Sequence, residues 1–182
     1  MKSADWPIDK TWTLFLDRDG VINERRSGDY VTKWEEFVFL PGVKAAMAKL
    51  SGIFGTIVVV SNQQGIGKGL MCINDVEWIH RQMKNEISAA GGRIDKVYYC
   101  PYLESEKHPD RKPGTGMAFK AKNDFPSIDF HNSVMVGDDP ADMIFGKKLA
   151  MLTVFVGDGA IDDPSMVDAK FSSLADFARS LK

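Results

Sequence analysis

The sequence predicts an α/β fold: a Rossmann-like, doubly wound, mostly parallel sheet with helices on both faces and no large cap domain. Three observations lead there. Short apolar runs of strand length alternate with amphipathic helical patterns along the chain. One such run, Thr56-Ile-Val-Val-Val60, is β-branched throughout and apolar on both faces, as a buried parallel strand is. Polar clusters follow directly on the strand ends, and open α/β sheets bind ligands outside the carboxyl ends of their strands. With 182 residues, 44% of them hydrophobic, the chain is expected to form one domain over residues 1–182 with a sizeable core.

The first strand, Trp12–Leu16, drives into Asp17-Arg18-Asp19-Gly20. A polar stretch from Glu24 to Trp34 follows, too long for a tight turn. Pro41 opens a helix over Gly42–Leu50, with Val43, Met47 and Leu50 on one stripe. The second strand, Thr56–Val60, ends in the glycine-rich loop Ser61–Gly69. Asn74 with Glu77 reads as a capping box for a long helix. Val76, Ile79, Met83, Ile87 and Ala90 recur there at helical spacing until Gly91-Gly92 stops the run. Strand Lys96–Cys100 leads into a charged, proline-containing loop, Pro101–Pro113, and then a helix over Met117–Asn123. Ser133–Val136 read as the fourth strand, running into Gly137-Asp138-Asp139. A helix over Ala141–Leu149, with its methionine read as core, precedes strand Leu152–Val156. A short strand near Phe171 and a helix capped by Ser173 with Asp176 complete the pattern.

Composition excludes several classes. A net charge of −2 offers no bulk attraction to nucleic acid. Met1–Lys10 has no apolar centre, so no signal peptide is expected, and no apolar run approaches the roughly 20 residues that span a bilayer. Two cysteines far apart, Cys72 and Cys100, suit a reduced, cytoplasmic protein. No apolar arm marks an interface, and a monomer is expected. Gly65, Gly67 and Gly69 are not a dinucleotide fingerprint, because no helix starts inside them in register.

The strand ends carry the chemistry. Asp17 and Asp19 share a face while the chain stays extended. Ser61 follows the second strand, Asp138 and Asp139 follow the fourth, and Lys112 lies in the loop before the helix that leads there. Three carboxylates in one cleft need a cation, and hard oxygen ligands without histidine favour magnesium over zinc. Magnesium commonly joins one or two carboxylates to a substrate phosphate, which makes phosphoryl transfer the natural reaction. A carboxylate can then serve as nucleophile through an aspartyl-phosphate.

Asp17-Arg-Asp19-Gly20, the strand-terminal Ser61, Lys112 before a helix, and Gly137-Asp138-Asp139-x-x-Asp142 resemble, in order, the four motifs of the haloacid dehalogenase superfamily of phosphohydrolases. The resemblance covers about Trp12 to Gly157. It is nearest the branch holding D-glycero-D-manno-heptose-bisphosphate phosphatase and histidinol-phosphate phosphatase. Asp17-Arg-Asp-Gly-Val-Ile-Asn23, Phe39-x-Pro41-Gly42-Val43, Ser61-Asn-Gln63-x-Gly65-Ile66, Tyr98-Tyr-Cys-Pro101 and Arg111-Lys-Pro113 carry that likeness. It implies a magnesium-dependent phosphomonoesterase acting on a small phosphate ester, a heptose bisphosphate or related sugar phosphate, with histidinol phosphate as the alternative. Asp17 would be nucleophile and metal ligand. Asp19 would be the general acid and then the base, with its carbonyl on the metal and its own pKa raised. Ser61, Asn62, Gln63, Arg111 and Lys112 would hold phosphate or substrate, and Asp138 would bind the metal.

Some positions stay open at this level. Asp139 either caps the following helix or supports the site, and Asp142 orients Lys112 or metal waters. Arg25, Arg26, Lys68 and Arg111 either touch the substrate or are surface charge. Relatives carry a zinc loop before the lysine. Here Cys100 remains, Tyr102 stands at a histidine position, and His108 and Asp110 replace two cysteines, so zinc is not expected. Heptose enzymes of the branch tend to have a lysine where this chain has Asp139. No segment between Asn23 and Pro41, or between Gly69 and Lys112, is long enough for a cap domain. The rival from another class is a receiver-type signalling domain, which would place its phosphoacceptor at the end of the third strand. That strand ends here in Cys100-Pro101.

Overall fold

The computed structural model describes residues 6–26, 28–161 and 163–182. Met1–Asp5, half of the segment read for a signal peptide, lie outside the described residues. Six strands form one parallel sheet: β1 (Thr13–Leu16), β2 (Thr56–Asn62), β3 (Lys96–Cys100), β4 (Ser133–Gly137), β5 (Leu152–Val156) and β6 (Ala169–Phe171). Their spatial order is β3-β2-β1-β4-β5-β6. The described helices are α1 (Val43–Ile53), α2 (Ile73–Ala89), α3 (Gly116–Asp124), α4 (Pro140–Lys148) and α5 (Leu174–Ser180). None is long and apolar enough to cross a membrane.

Strand residues alternate between two cores, because successive side chains leave a strand on opposite faces. Leu14, Leu16, Ile57, Val59 and Val136 point to one, where Met47, Ile79, Met83 and Phe177 pack from α1, α2 and α5. Phe15, Val58, Val60 and Met135 point to the other, filled by Met117, Ala121 and Phe145 from α3 and α4. The sheet is therefore covered on both sides, which is why its central strands are apolar throughout.

Several element ends differ from the sequence reading: α1 runs on to Ile53 rather than stopping at Leu50, and two further differences have a visible cause. Helix α2 begins at Ile73, and its capping carboxylate is Asp75, whose Oδ2 accepts the Cys72 N–H at 2.8 Å. Asn74 and Glu77 thus lie inside the helix. Strand β2 runs two residues past Val60, since Ser61 pairs with Tyr99 and Asn62 with Cys100. The neighbouring strand keeps the backbone extended where the polar side chains alone suggest a loop.

Strand β1 pairs with both β2 and β4, and chain order reverses between β1 and β4. Helices α1 and α2 leave on one face and α3 and α4 on the other, so a crevice opens beyond the C-terminal ends of β1 and β4. The Asp17 N–H still bonds Val136 O at 2.9 Å, which fixes Asp17 at the lip of that crevice.

Phe145 is fully buried and meets Phe15 edge-on at 6.4 Å. Phe145→Ala is expected to lower unfolding free energy by about 3–5 kcal/mol. Leu70→Ala, at a position 54% exposed, is expected to change it by less than about 0.5 kcal/mol. Equilibrium urea denaturation of both variants checks the difference.

Candidate active site

The innermost feature is a buried ammonium. Lys112 Nζ lies 2.9 Å from Asp17 Oδ1 and 2.6 Å from Asp142 Oδ1, with all three side chains buried. Asn62, at the end of β2, holds the lysine backbone through two bonds. Its Oδ1 accepts Lys112 N–H at 2.9 Å and its Nδ2 donates to Lys112 O at 3.1 Å. Asp142 is delivered by the first turn of α4. Asp139 caps that turn by accepting Ala141 N–H at 2.9 Å, and Pro140 opens it. Gly137 lets α4 come this close, since a Cβ there would lie 2.2 Å from Asp142 Cβ. Burial alone would lower the pKa of Lys112, but Asp142 and Asp17 outweigh it and hold the ammonium charged.

Around this pair the carboxylates converge. Oxygens of Asp17, Asp138 and Asp142 lie within 4.8 Å of one another, and no other trio of His, Cys, Asp or Glu does so among the described residues. Asp138 packs on Gly20, where φ is +85° and a Cβ would fall 1.9 Å from Asp138 Oδ2. Only glycine satisfies both the left-handed backbone and the contact. Burial, then Asp17, push the Asp138 carboxyl up to about 7 against the pull of Arg25. Burial likewise raises Asp142 above the usual carboxylate range. Three clustered carboxylates face two cations, Lys112 and Arg25, and the group is short of positive charge.

Arg25, undecided in the sequence, proves to be the second cation. Its Nη2 is 2.8 Å from Asp138 Oδ1 and 3.9 Å from Asp17 Oδ2, and its Nη1 is 3.3 Å from Asp139 Oδ2. Asp139 therefore both caps α4 and holds Arg25. The other open positions are also placed. Arg26 pairs with Asp29 and Glu36 at 3.2 and 3.0 Å, Arg111 approaches Glu104 at 3.8 Å, and Lys68 lies over the Tyr30 ring. All four arginine and lysine side chains line a cleft of about 710 Å³, whose wall also includes Asp17, Asp19 and Lys112.

Asp19 departs from expectation. Its carboxylate accepts from Arg18 Nη2 at 2.8 and 2.9 Å, from Asn23 Nδ2 at 2.9 Å and from Gln63 Nε2 at 2.8 Å. Burial works to raise its pKa, but the Arg18 charge and these donors overcome burial and lower it. The anticipated raised value is thus corrected: Arg18 folds back under the strand end and supplies a counter-charge. Gln63 also donates to Ser61 Oγ at 2.7 Å, and both residues are buried beneath the cleft, whereas Asn62 lines it. His108 Nδ1 lies 3.6 Å from Asp110 Oδ2, but Cys100, His108 and Asp110 do not bring three ligand atoms within 4.8 Å of one another. Asp110 binds Lys120 Nζ at 2.5 Å, and His108 stacks on Tyr102 at 3.9 Å. No pattern in the sequence pointed to His80, whose Nε2 lies 3.1 Å from Arg18 Nη1.

A strand-end carboxylate held by a buried lysine, with acidic ligand atoms from the neighbouring strand, is an arrangement for phosphoryl transfer. A family model described as polynucleotide kinase 3 phosphatase matches residues 12–178. The chain belongs to the haloacid dehalogenase-like phosphatases. It is an enzyme, a phosphatase. It is 39% identical to a D-glycero-α-D-manno-heptose-1,7-bisphosphate 7-phosphatase of Mycobacterium tuberculosis over 170 residues, 92% of this chain and 90% of the relative. A protein of the same description from Campylobacter jejuni is 38% identical over 81% of this chain and 83% of its own. The crystal structure of a D,D-heptose 1,7-bisphosphate phosphatase from B. bronchiseptica, complexed with magnesium and phosphate, superposes with a TM-score of 0.83 at 26% identity. It covers 92% of this chain and 96% of that one. The receiver alternative fails on family and on topology, since receivers order their strands 2-1-3-4-5.

Lys112→Met would leave Asp17 and Asp142 buried with no ammonium between them. It is expected to destabilise the protein by about 3–5 kcal/mol. Adding Asp142→Asn should recover part of that loss, because one uncompensated charge goes with it. Chemical denaturation of the two variants measures both effects.

Proposed function

We propose that the protein is a magnesium-dependent phosphomonoesterase that cleaves a heptose bisphosphate or a closely related sugar phosphate through phospho-Asp17. The observation that carries the reading is Lys112 seated between Asp17 and Asp142 at the meeting point of β1, β4 and α4. Residues 1–182 act in this reading as one catalytic domain, closed over its substrate by loops alone.

The donor set fits magnesium. Asp17 and Asp138 offer carboxylate oxygens beside Asp142, all hard donors in a cluster short of positive charge, and the family resemblance adds the Asp19 backbone carbonyl. When bound there, the ion would neutralise phosphate charge and hold the phosphoryl group for in-line attack. The protein's own groups do the rest. Lys112 and the Arg18 N–H, at 2.9 and 2.7 Å, fix Asp17 Oδ1 and so the direction of the carboxylate. Asp17 attacks phosphorus, the ester P–O bond breaks, and Asp19 passes a proton to the departing alkoxide. A phosphate dianion arriving beside Asp19 disfavours its charge and promotes uptake of that proton. Asp19, ionised again, then takes a proton from water as the water oxygen attacks phosphorus, releasing phosphate and restoring Asp17.

The sugar assignment rests on the named relatives and on the cleft. Arg26, Lys68, Lys107 and Arg111 line it together with Asp29 and Glu104, and these four cations offer positive charge to a second phosphate. Asp17→Asn is expected to abolish hydrolysis of heptose bisphosphate and aryl phosphate alike while the protein still folds; turnover by the folded variant would contradict the reading. Magnesium should bind more tightly as pH rises towards about 7, because the proton on Asp138 competes with the ion. Calorimetric titration in two buffers of different ionisation heat should show proton release at about pH 6 and little at about pH 8.

A further inference from the structure

Arg18 is the largest fully buried side chain of the described residues, yet the mechanism above gives it no step. A buried guanidinium has five donors and no acceptor, so its neighbours must supply the acceptors. Nη2 donates to both oxygens of Asp19. The Phe37 ring lies 5.9 Å from the guanidinium carbon, and Nε is buried without a partner. Nη1 meets one group, His80 Nε2, at 3.1 Å. Because arginine only donates, Nε2 is the acceptor, and the ring is neutral with its proton on Nδ1. Burial first, then the Arg18 charge, push the His80 pKa down to about 3, which agrees with a neutral ring.

His80 comes from the middle of α2, between Ile79 and Met83, which anchor the helix in the core under β1 and β2. Its ring tilts against Tyr99 of β3 at 5.5 Å. The imidazole is therefore held by helix and sheet together. A rigid acceptor thus holds Nη1 of Arg18 while Asp19 holds Nη2. We propose that His80 is a positioning residue for phosphate-ester cleavage, acting through the buried Arg18 to fix the orientation of the Asp19 carboxylate. The proposal rests on the assignment of Asp19 as the acid that protonates the leaving oxygen.

That role predicts a selective defect. An alkyl phosphate needs its leaving oxygen protonated, whereas an aryl phosphate releases a stable phenolate without help. The value of kcat/KM reports the step in which Asp17 is phosphorylated, and a purely structural role would lower it equally for both esters. In the full-length, magnesium-loaded enzyme, His80→Leu is expected to reduce kcat/KM for glucose 6-phosphate, or another alkyl ester that the wild type hydrolyses, by about tenfold or more. Its kcat/KM for p-nitrophenyl phosphate should stay within about threefold. His80→Gln, whose Oε1 reaches the place of Nε2, should restore the alkyl activity. His80→Asn, equally polar but shorter, should not, and this pair decides the matter if the leucine variant does not fold. Asp19→Asn serves as reference and should show the same alkyl-selective loss. Equal losses on the two esters, no loss on either, or equal effects of Gln and Asn would overturn the role of His80 while leaving the assignment of Asp19 intact. Full alkyl activity in Asp19→Asn would overturn that assignment, and the proposal with it.

Discussion

The rest of the site depends on one buried ammonium. Lys112 Nζ, at 2.9 Å from Asp17 and 2.6 Å from Asp142, ties the end of β1 to the first turn of α4 and is itself held by Asn62 from the end of β2. Moving an ammonium into a protein interior is costly unless carboxylates meet it at contact distance. The fold meets that demand with two. Gly137 lets α4 approach, and the sheet register sets Asp17 level with the end of β4. Remove the lysine, and Asp17 and Asp142 face each other buried and unpaired.

The same charge count explains why the cluster attracts a further cation. Asp138 joins Asp17 and Asp142 on the open side, and Lys112 alone cannot balance three carboxylates. Arg25 supplies the second charge from a partly exposed loop position, reaching Asp138, Asp139 and Asp17 at once. Asp19 stands apart. Its counter-charge is Arg18, beneath the cleft, rather than anything in the cluster. Two aspartates two residues apart thus meet opposite surroundings. In the proposed mechanism the first takes the phosphoryl group, and the second is held ionised by Arg18 until a substrate arrives.

Much of this was legible in the sequence, because strand and helix periodicities place side chains directly. The doubly wound sheet followed from apolar runs alternating with helical patterns, and Asp17, Ser61 and Asp138 fell at its carboxyl edge as their strand-end positions required. Asp142 was legible only as one of two alternatives, a partner of Lys112 or of metal waters, and the first turn of α4 places it on Lys112. What was not legible depends on contacts between segments far apart. The raised pKa expected of Asp19 was wrong because Arg18 turns inward, and nothing local reveals a histidine 62 residues away that receives it. Arg25 lies in an irregular loop, where sequence spacing does not fix direction. The extra residues of β2 come from its neighbour β3, and the α2 cap from a cysteine backbone N–H that no composition rule marks.

The central claim is that Asp17, oriented by Lys112, takes the phosphoryl group from the substrate. Rapid acid quench of the enzyme during turnover, followed by peptide mass mapping, tests it most directly. The account predicts one phosphorylated peptide, carrying the group on Asp17, that appears with substrate and disappears when substrate is exhausted. Phosphate release at the steady rate with no phosphorylated peptide, or with the group on another residue, would contradict it.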